Sequence, residues 1–209
     1  MSVIAIVNPK GGVGKSTLAT NLAGYLAADG ESTALGDIDP QHSSHGWLGI
    51  RSPALAPITR WTPDAAQPGR PPQGIVHAVL DTPAGLDGTT LHHVAAMADH
   101  IIVPLQPSIF DIFATQAFLA QLVKERAVKR RNIRIGVVGM RVDARTKAAE
   151  QLQRFVEGLD VPVLTSLRDT QNYVQLAAHG LSLWDVATSR VEKDLEQWHA
   201  LTQWVRAAD

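Results

Sequence analysis

Two lysines five residues apart stand in the stretch NPKGGVGKST, Asn8 to Thr17. Gly11, Gly12 and Gly14 precede the second lysine, Lys15, and Ser16 and Thr17 follow it. Glycines at this spacing let the chain turn successive backbone N–H groups inward, Val13 among them, and a helix starting near Ser16 adds its positive end. The stretch therefore reads as a cradle for phosphate, with Lys15 reaching the β and γ groups and the Ser16 hydroxyl on magnesium. A glycine turn that merely contains a lysine is the plainer alternative, and the order of strand, loop and helix argues against it. The usual loop is G-x-x-x-x-G-K-[ST]; here Pro9 stands where its first glycine belongs, and Lys10 has no role in that pattern.

A phosphate cradle also needs a carboxylate at the end of a neighbouring strand to hold the metal. The apolar run Ile75 to Leu80 ends in Asp81, followed by TPAG, which makes Asp81 the expected metal carboxylate and Gly85 a backbone donor to the γ phosphate. Another run ends in DIDPQ, Asp37 to Gln41. Carboxyl ends of strands are where α/β sheets place ligands, so Asp39 is read as orienting an attacking or metal-bound water, with a capped loop as the alternative.

These groups need rigid elements to bring them together. Val3 to Val7 is an apolar, β-branched run, and it passes through the glycines into STLATNLAGYLAA, where Leu18, Leu22 and Leu26 recur every four residues. Short apolar runs follow at Thr33 to Leu35, Ile75 to Leu80, Ile101 to Leu105, Ile133 to Val138 and Val161 to Leu164. Helical periodicity lies between most of them, as in Phe113 to Val123 and Ala148 to Val156. Strands alternating with helices predict an α/β fold in three layers, a mostly parallel twisted sheet with helices on both faces. At 209 residues the chain is expected to form one domain over 1–209.

Two regions break the rhythm. Ser52 to Gly74 holds six prolines with little periodicity, which predicts a surface excursion rather than a packed element; a docking site for a partner is the alternative. Val191 to Val205 carries Val191, Leu195, Trp198, Leu201 and Val205 at helical spacing, which predicts a closing helix packed on the sheet.

Composition excludes several classes. With no cysteine there are no disulfides, thiolate metal sites or iron–sulfur ligands. The net charge of −1 exerts no global pull on nucleic acid or anionic lipid, so any such footprint must be local. The first apolar run is too short for a signal peptide or a membrane span, and the expected location is cytoplasmic.

In this order and spacing, KGGVGKST, DIDPQ and DTPAG resemble the deviant Walker A ATPases of the ParA and MinD type, and most closely the small plasmid-partition ParA proteins without an amino-terminal DNA-reading domain. The resemblance covers nearly the whole chain. It implies ATP and magnesium as cofactors and hydrolysis that stays slow until a partner stimulates it. It implies a homodimer closing face to face around two nucleotides, with Lys10 reaching the partner's phosphates. A lysine delivered in trans acts as an arginine finger does, which is worth roughly 10³ to 10⁵ in rate. The family pattern does not require the first glycine, which accounts for Pro9. By the same resemblance, Pro107 and Asp111 in QPSIFDIFA shape the dimer face and nucleotide pocket. Met140 and Arg141 in GMRVDART lie near the adenine, and Leu167 to Asp185 belongs to a segment tied to DNA contact and nucleotide closure.

The stretch KERAVKRRNIR, Lys124 to Arg134, holds six basic residues and one acid. Such a patch binds phosphates without reading bases, and Lys124, Lys129, Arg130 and Arg131, joined by Arg145 and Arg168, are the candidate DNA contacts. A solvated helix end, where basic residues suit the dipole, is the alternative. The expected role is partition of a plasmid or chromosome, with nonspecific DNA held in the ATP state, association with the nucleoid, and release triggered by a ParB-like, centromere-binding adaptor. The competing reading is a membrane-associated ATPase like MinD, which needs a basic amphipathic terminal helix. Here Lys193 and Arg206 face Glu192, Asp194 and Glu196, which favours anionic lipid little. A positioner of non-DNA cargo shares every motif.

Overall fold

The structure is a computed structural model that describes residues 1–64, 68–86, 88–143, 145–147, 150, 155 and 161–207. The helical periodicity at 148–156 falls almost wholly outside these residues. Strands β1 (Ser2–Ile6), β2 (Thr33–Asp37), β3 (Ile58–Trp61), β4 (His77–Asp81), β5 (His100–Leu105), β6 (Arg134–Gly139) and β7 (Val163–Ser166) form one sheet in the order β3-β2-β4-β1-β5-β6-β7. Every pairing in it is parallel. The connecting helices are α1 (Lys15–Ala28), α2 (Ser43–Ile50), α3 (Gly88–Met97), α4 (Ile109–Leu122), α5 (Arg126–Arg131), α6 (Gln171–Ala177) and α7 (Thr188–Arg206), with a 3-10 turn at Leu183–Asp185.

Side chains along a strand alternate between faces, and in this sheet both faces are covered. Val3, Ala5 and Val7 enter one core with Ala78, Leu80, Ile101, Val103 and Leu105, under Leu91 and Val94 of α3 and Ile112 and Phe118 of α4. Ile4 and Ile6 enter the other with Val79 and Ile102, under Leu18, Leu22 and Leu26 of α1 and Trp198, Leu201 and Val205 of α7. The continuous apolar runs of the central strands follow directly from this, and so does the closing helix.

The proline-rich stretch is corrected in one respect. It contains the edge strand β3, paired to β2, and Trp61 at its end is buried in the core. Prolines are tolerated beside an edge strand because its outer N–H groups are not needed for pairing. Gly36 on β2 is the counterpart: a Cβ there would lie 2.5 Å from the Trp61 ring.

A nucleotide cradle at the carboxyl end of the sheet

The polar groups read from the sequence meet at the carboxyl ends of β1, β2 and β4. Gly12 and Gly14 have φ of 74° and 97°, left-handed values that glycine adopts without strain. Gly14 caps the start of α1, so the first free N–H groups of a 14-residue helix open into the loop. A cavity of about 570 Å³ lies over it, walled by Gly11, Gly12, Gly14, Lys15, Ser16, Thr17, Asp39, Pro40, Gln41, Ser43, Pro83, Ala84 and Arg141.

The loop is held from below. Asn8 donates to the Pro104 carbonyl at 2.7 Å and to the Thr115 hydroxyl at 3.2 Å, while its Oδ1 accepts from the Lys10 backbone at 2.8 Å. Gln106 Nε2 donates to the Gly12 carbonyl at 2.8 Å. Sequence reasoning missed Asn8 as a loop anchor; its adjacency to Pro9 was the available signal.

Lys15 is buried, and its Nζ donates to the carbonyls of Lys10 at 2.9 Å and Asn8 at 3.3 Å. Burial lowers its pKa, against the opposing pull of Asp81 and Asp39. A cation resting on loop carbonyls inside a cradle of N–H groups is arranged to receive a phosphate oxygen.

Asp81 is fully buried, and its Oδ2 accepts from the Ser44 hydroxyl at 2.6 Å. Among the described residues, its Oδ1 has no hydrogen-bond donor in acceptable geometry. Burial raises the Asp81 pKa to about 6, opposed by the hydroxyls of Ser44 and Ser16 and by Lys15, and reinforced by Asp37. A buried carboxylate oxygen without a donor, next to the Ser16 hydroxyl, is the donor set that magnesium prefers: hard oxygens, few of them, with room for water and phosphate. Ser44 was not foreseen, because no periodicity marks it; it stands seven residues after Asp37, at the start of α2.

The two acids of DIDPQ divide their labour. Asp37 Oδ1 accepts from the Asp39 N–H at 2.9 Å, and its Oδ2 accepts from the N–H groups of Ser44 at 3.0 Å and His45 at 3.1 Å. Asp37 thus ties the loop to α2, and Asp39 is left on the cavity wall, its Oδ1 accepting from the Gln41 N–H.

The other expected nucleotide contacts are placed as follows in the nucleotide-free protein. Met140 is buried beneath the phosphate loop, where a Cβ on Gly14 would lie 2.7 Å from its Cε, so its contact is with the loop; Arg141 alone of that pair reaches the cavity. The Gly85 N–H is spent on the Pro9 carbonyl at 2.9 Å. Val13 is buried, and neither it nor Pro107 walls the cavity. Lys10 does not wall the cavity; it is half-exposed, its Nζ 3.6 Å from Asp111 Oδ1. Beside it on α4, Phe110 and Phe113 expose 75% and 60% of their surface.

Residues 4–183 match the family described as the CobQ/CobB/MinD/ParA nucleotide binding domain. The chain belongs to that family, as an ATPase of the ParA/MinD type. Among curated members, it is 35% identical over 185 residues to the maintenance of carboxysome distribution protein A of Gloeobacter kilaueensis, covering 87% of this chain and 83% of that protein. It is 31% identical over 183 residues to the chromosome-partitioning ATPase Soj of Thermus thermophilus, covering 72% and 73%. The same fold appears in the solved structure of a plasmid partition protein from Borrelia burgdorferi bound to AMPPNP, with a TM-score of 0.71 at 16% identity over 97% of this chain and 99% of that one.

The candidate DNA contacts separate into two groups. Arg131 donates to Asp99 Oδ1 at 2.9 Å and also to the Ala96 carbonyl. Arg168 Nε donates to the fully buried Asp194 at 2.6 Å, and Arg145 is paired with Asp143 on the surface. Lys124, Lys129 and Arg130 are exposed. The basic run is in part a helix end, since Lys129, Arg130 and Arg131 form the last turn of α5. Among the described residues, no helix is long and apolar enough to cross a membrane.

Proposed function

We propose that this chain is a DNA-partition ATPase: it binds ATP with magnesium in the loop cavity, closes as two copies, holds nonspecific DNA in that state, and lets go when an adaptor stimulates hydrolysis. The observation that carries this reading is Lys10, a second lysine next to the phosphate loop that remains 42% exposed while Lys15 is buried. One loop does not need two lysines on its own phosphates. A half-exposed lysine paired with Asp111, on a helix that also exposes Phe110 and Phe113, can exchange that partner for a second copy.

In this reading the Lys15 ammonium and the N–H groups of Gly12, Gly14 and the start of α1 bind the phosphates. Ser16 and Asp81 would hold magnesium, which supplies charge neutralisation at the β and γ oxygens. Asp39 orients the attacking water, and Lys10 of one copy stabilises the charge developing on the nucleotide of the other. Lys124, Lys129 and Arg130 supply the phosphate contacts. Arg168 is withdrawn from that role by Asp194, whereas Arg145 exchanges its exposed partner at little cost. Two copies present two such patches, so individually weak sites add. The protein is expected to be cytoplasmic and nucleoid-associated in its ATP state, with a ParB-like adaptor.

A second reading has its own support. The relative from Gloeobacter kilaueensis, matched over most of both chains, carries a name that refers to carboxysome distribution. The same ATP-gated cycle would then position a protein cargo, with a different adaptor.

Fluorescence anisotropy of a random-sequence duplex, titrated with protein and magnesium plus ATP or ADP at two salt concentrations, tests the proposal. Binding with ATP alone, weakened by salt, is expected. Absence of binding with either nucleotide would overturn the DNA role.

A further inference from the structure

The loop between β2 and α2 carries a cluster that the nucleotide chemistry does not use. Asp37, His42 and His45 each offer one ligand-capable atom, and these atoms all lie within 4.8 Å of one another. We infer that this cluster is a binding site for a zinc-type divalent transition-metal ion, distinct from the magnesium position at Ser16 and Asp81.

Three features favour a metal over an incidental pair of histidines. His45 is buried, and its Nε2 lies 3.0 Å from the Trp61 carbonyl oxygen. A carbonyl only accepts, so in the neutral ring Nε2 carries the hydrogen and Nδ1 presents its lone pair. This is the arrangement in which a backbone carbonyl fixes the tautomer of a ligating histidine. His42, which stands on the solvent side, is one of three non-glycine residues described with positive φ, at 50°. That conformation favours glycine, so an imidazole is kept there against a backbone cost. The two rings are neighbours, with centroids 5.9 Å apart and planes 12° from each other.

Asp37 completes the set from the end of β2. Its Oδ1 accepts one hydrogen bond, from the Asp39 N–H, and so retains a lone pair. Two imidazoles and one carboxylate suit zinc and its neighbours and leave a position open for water. Ligands at ordinary zinc distances are roughly 3.4 Å apart around a tetrahedral ion, so the exposed His42 ring closes inward on binding. A recess of about 480 Å³, walled by His42, His45, Gly46, Gly49, Arg60 and Thr62, opens onto the two imidazoles and gives the ion its route past the Arg60 guanidinium, which is engaged on the His45 carbonyl at 2.9 Å. Bound there, the ion links residue 37 to residues 42 and 45 and closes a ring around Asp39, Pro40 and Gln41, the segment that walls the nucleotide cavity.

The test uses the metal-free full chain, which has eight histidines, and zinc in competition with a chromophoric chelator. Wild type is expected to take up one tight equivalent, and cobalt in its place to give the intense visible absorption of a tetrahedral site. His42→Gly removes a ligand while suiting the backbone, so zinc affinity should fall at least tenfold with no loss of metal-free melting temperature. His42→Asn, which also tolerates the left-handed conformation, should behave the same way. A double change of His92 and His93 to Ala should leave uptake intact. Equal zinc affinity in wild type and both His42 variants, or loss of the tight equivalent in the His92/His93 variant alone, would overturn the inference.

Discussion

Two buried carboxylates, Asp81 and Asp185, sit in the same molecule under opposite conditions. Asp185 is met by a bidentate Arg51 at 2.6 and 2.8 Å and by the Ser182 N–H and hydroxyl at 2.7 and 2.6 Å. Burial alone would raise its pKa, but Arg51 and Ser182 outweigh it and hold the carboxyl below its ordinary value. Asp81 has one hydroxyl on Oδ2, no donor in acceptable geometry on Oδ1, and a pKa raised to about 6. The first carboxylate is internally satisfied and ties the turn at residues 183–185 to the end of α2. The second keeps its bonding capacity for something the chain does not supply. Buried charge that is fully paired serves the fold; buried charge left short of partners marks the site.

Variants on the two sides should therefore fail differently. Lys15→Ala is expected to weaken ATP binding by a hundredfold or more with little change in melting temperature; unchanged affinity by calorimetry would break the assignment of the cradle. Asp185→Ala leaves Arg51 buried without its counter-ion and should cost about 3–5 kcal/mol in denaturant unfolding, while nucleotide still binds where the protein is folded.

Asp81→Asn should do the reverse in metal-free protein. An anion held at about 6 instead of 3.8 destabilises the folded state by roughly 3 kcal/mol above pH 6. The folded state binds that proton more tightly than the unfolded chain does. This contribution therefore favours folding as pH falls from 7 toward 4, and Asn should raise stability at pH 7.5 and flatten that dependence. The smallest effect is expected at Arg168. Arg168→Ala should cost about 1–2 kcal/mol, between a surface pair and a buried one because Arg168 is partly exposed while Asp194 is not, and leave the DNA affinity of folded protein unchanged. A selective loss of DNA binding would return it to the contact surface.

Much of this was legible in the residues, and the gaps have physical causes. The apolar runs of β1, β4 and β5 mark strands buried on both faces, and the glycines before Lys15 mark the loop, because period and glycine geometry are local properties. Strand β3 was hidden by its prolines, since its pairing depends on Gly36 leaving room for Trp61, a fact of tertiary contact. Arg168 looked like a free cation because nothing local links it to Asp194, 26 residues later. Met140 belonged to the right segment but points beneath the loop, an orientation decided by the space over Gly14.

The most direct test of the central contrast is the magnesium dependence of ATP affinity by calorimetry in wild type and Asp81→Asn. Magnesium is expected to tighten ATP binding at least tenfold in wild type and to have little effect in the variant. Equal tightening in both would show that Asp81 is not the metal carboxylate.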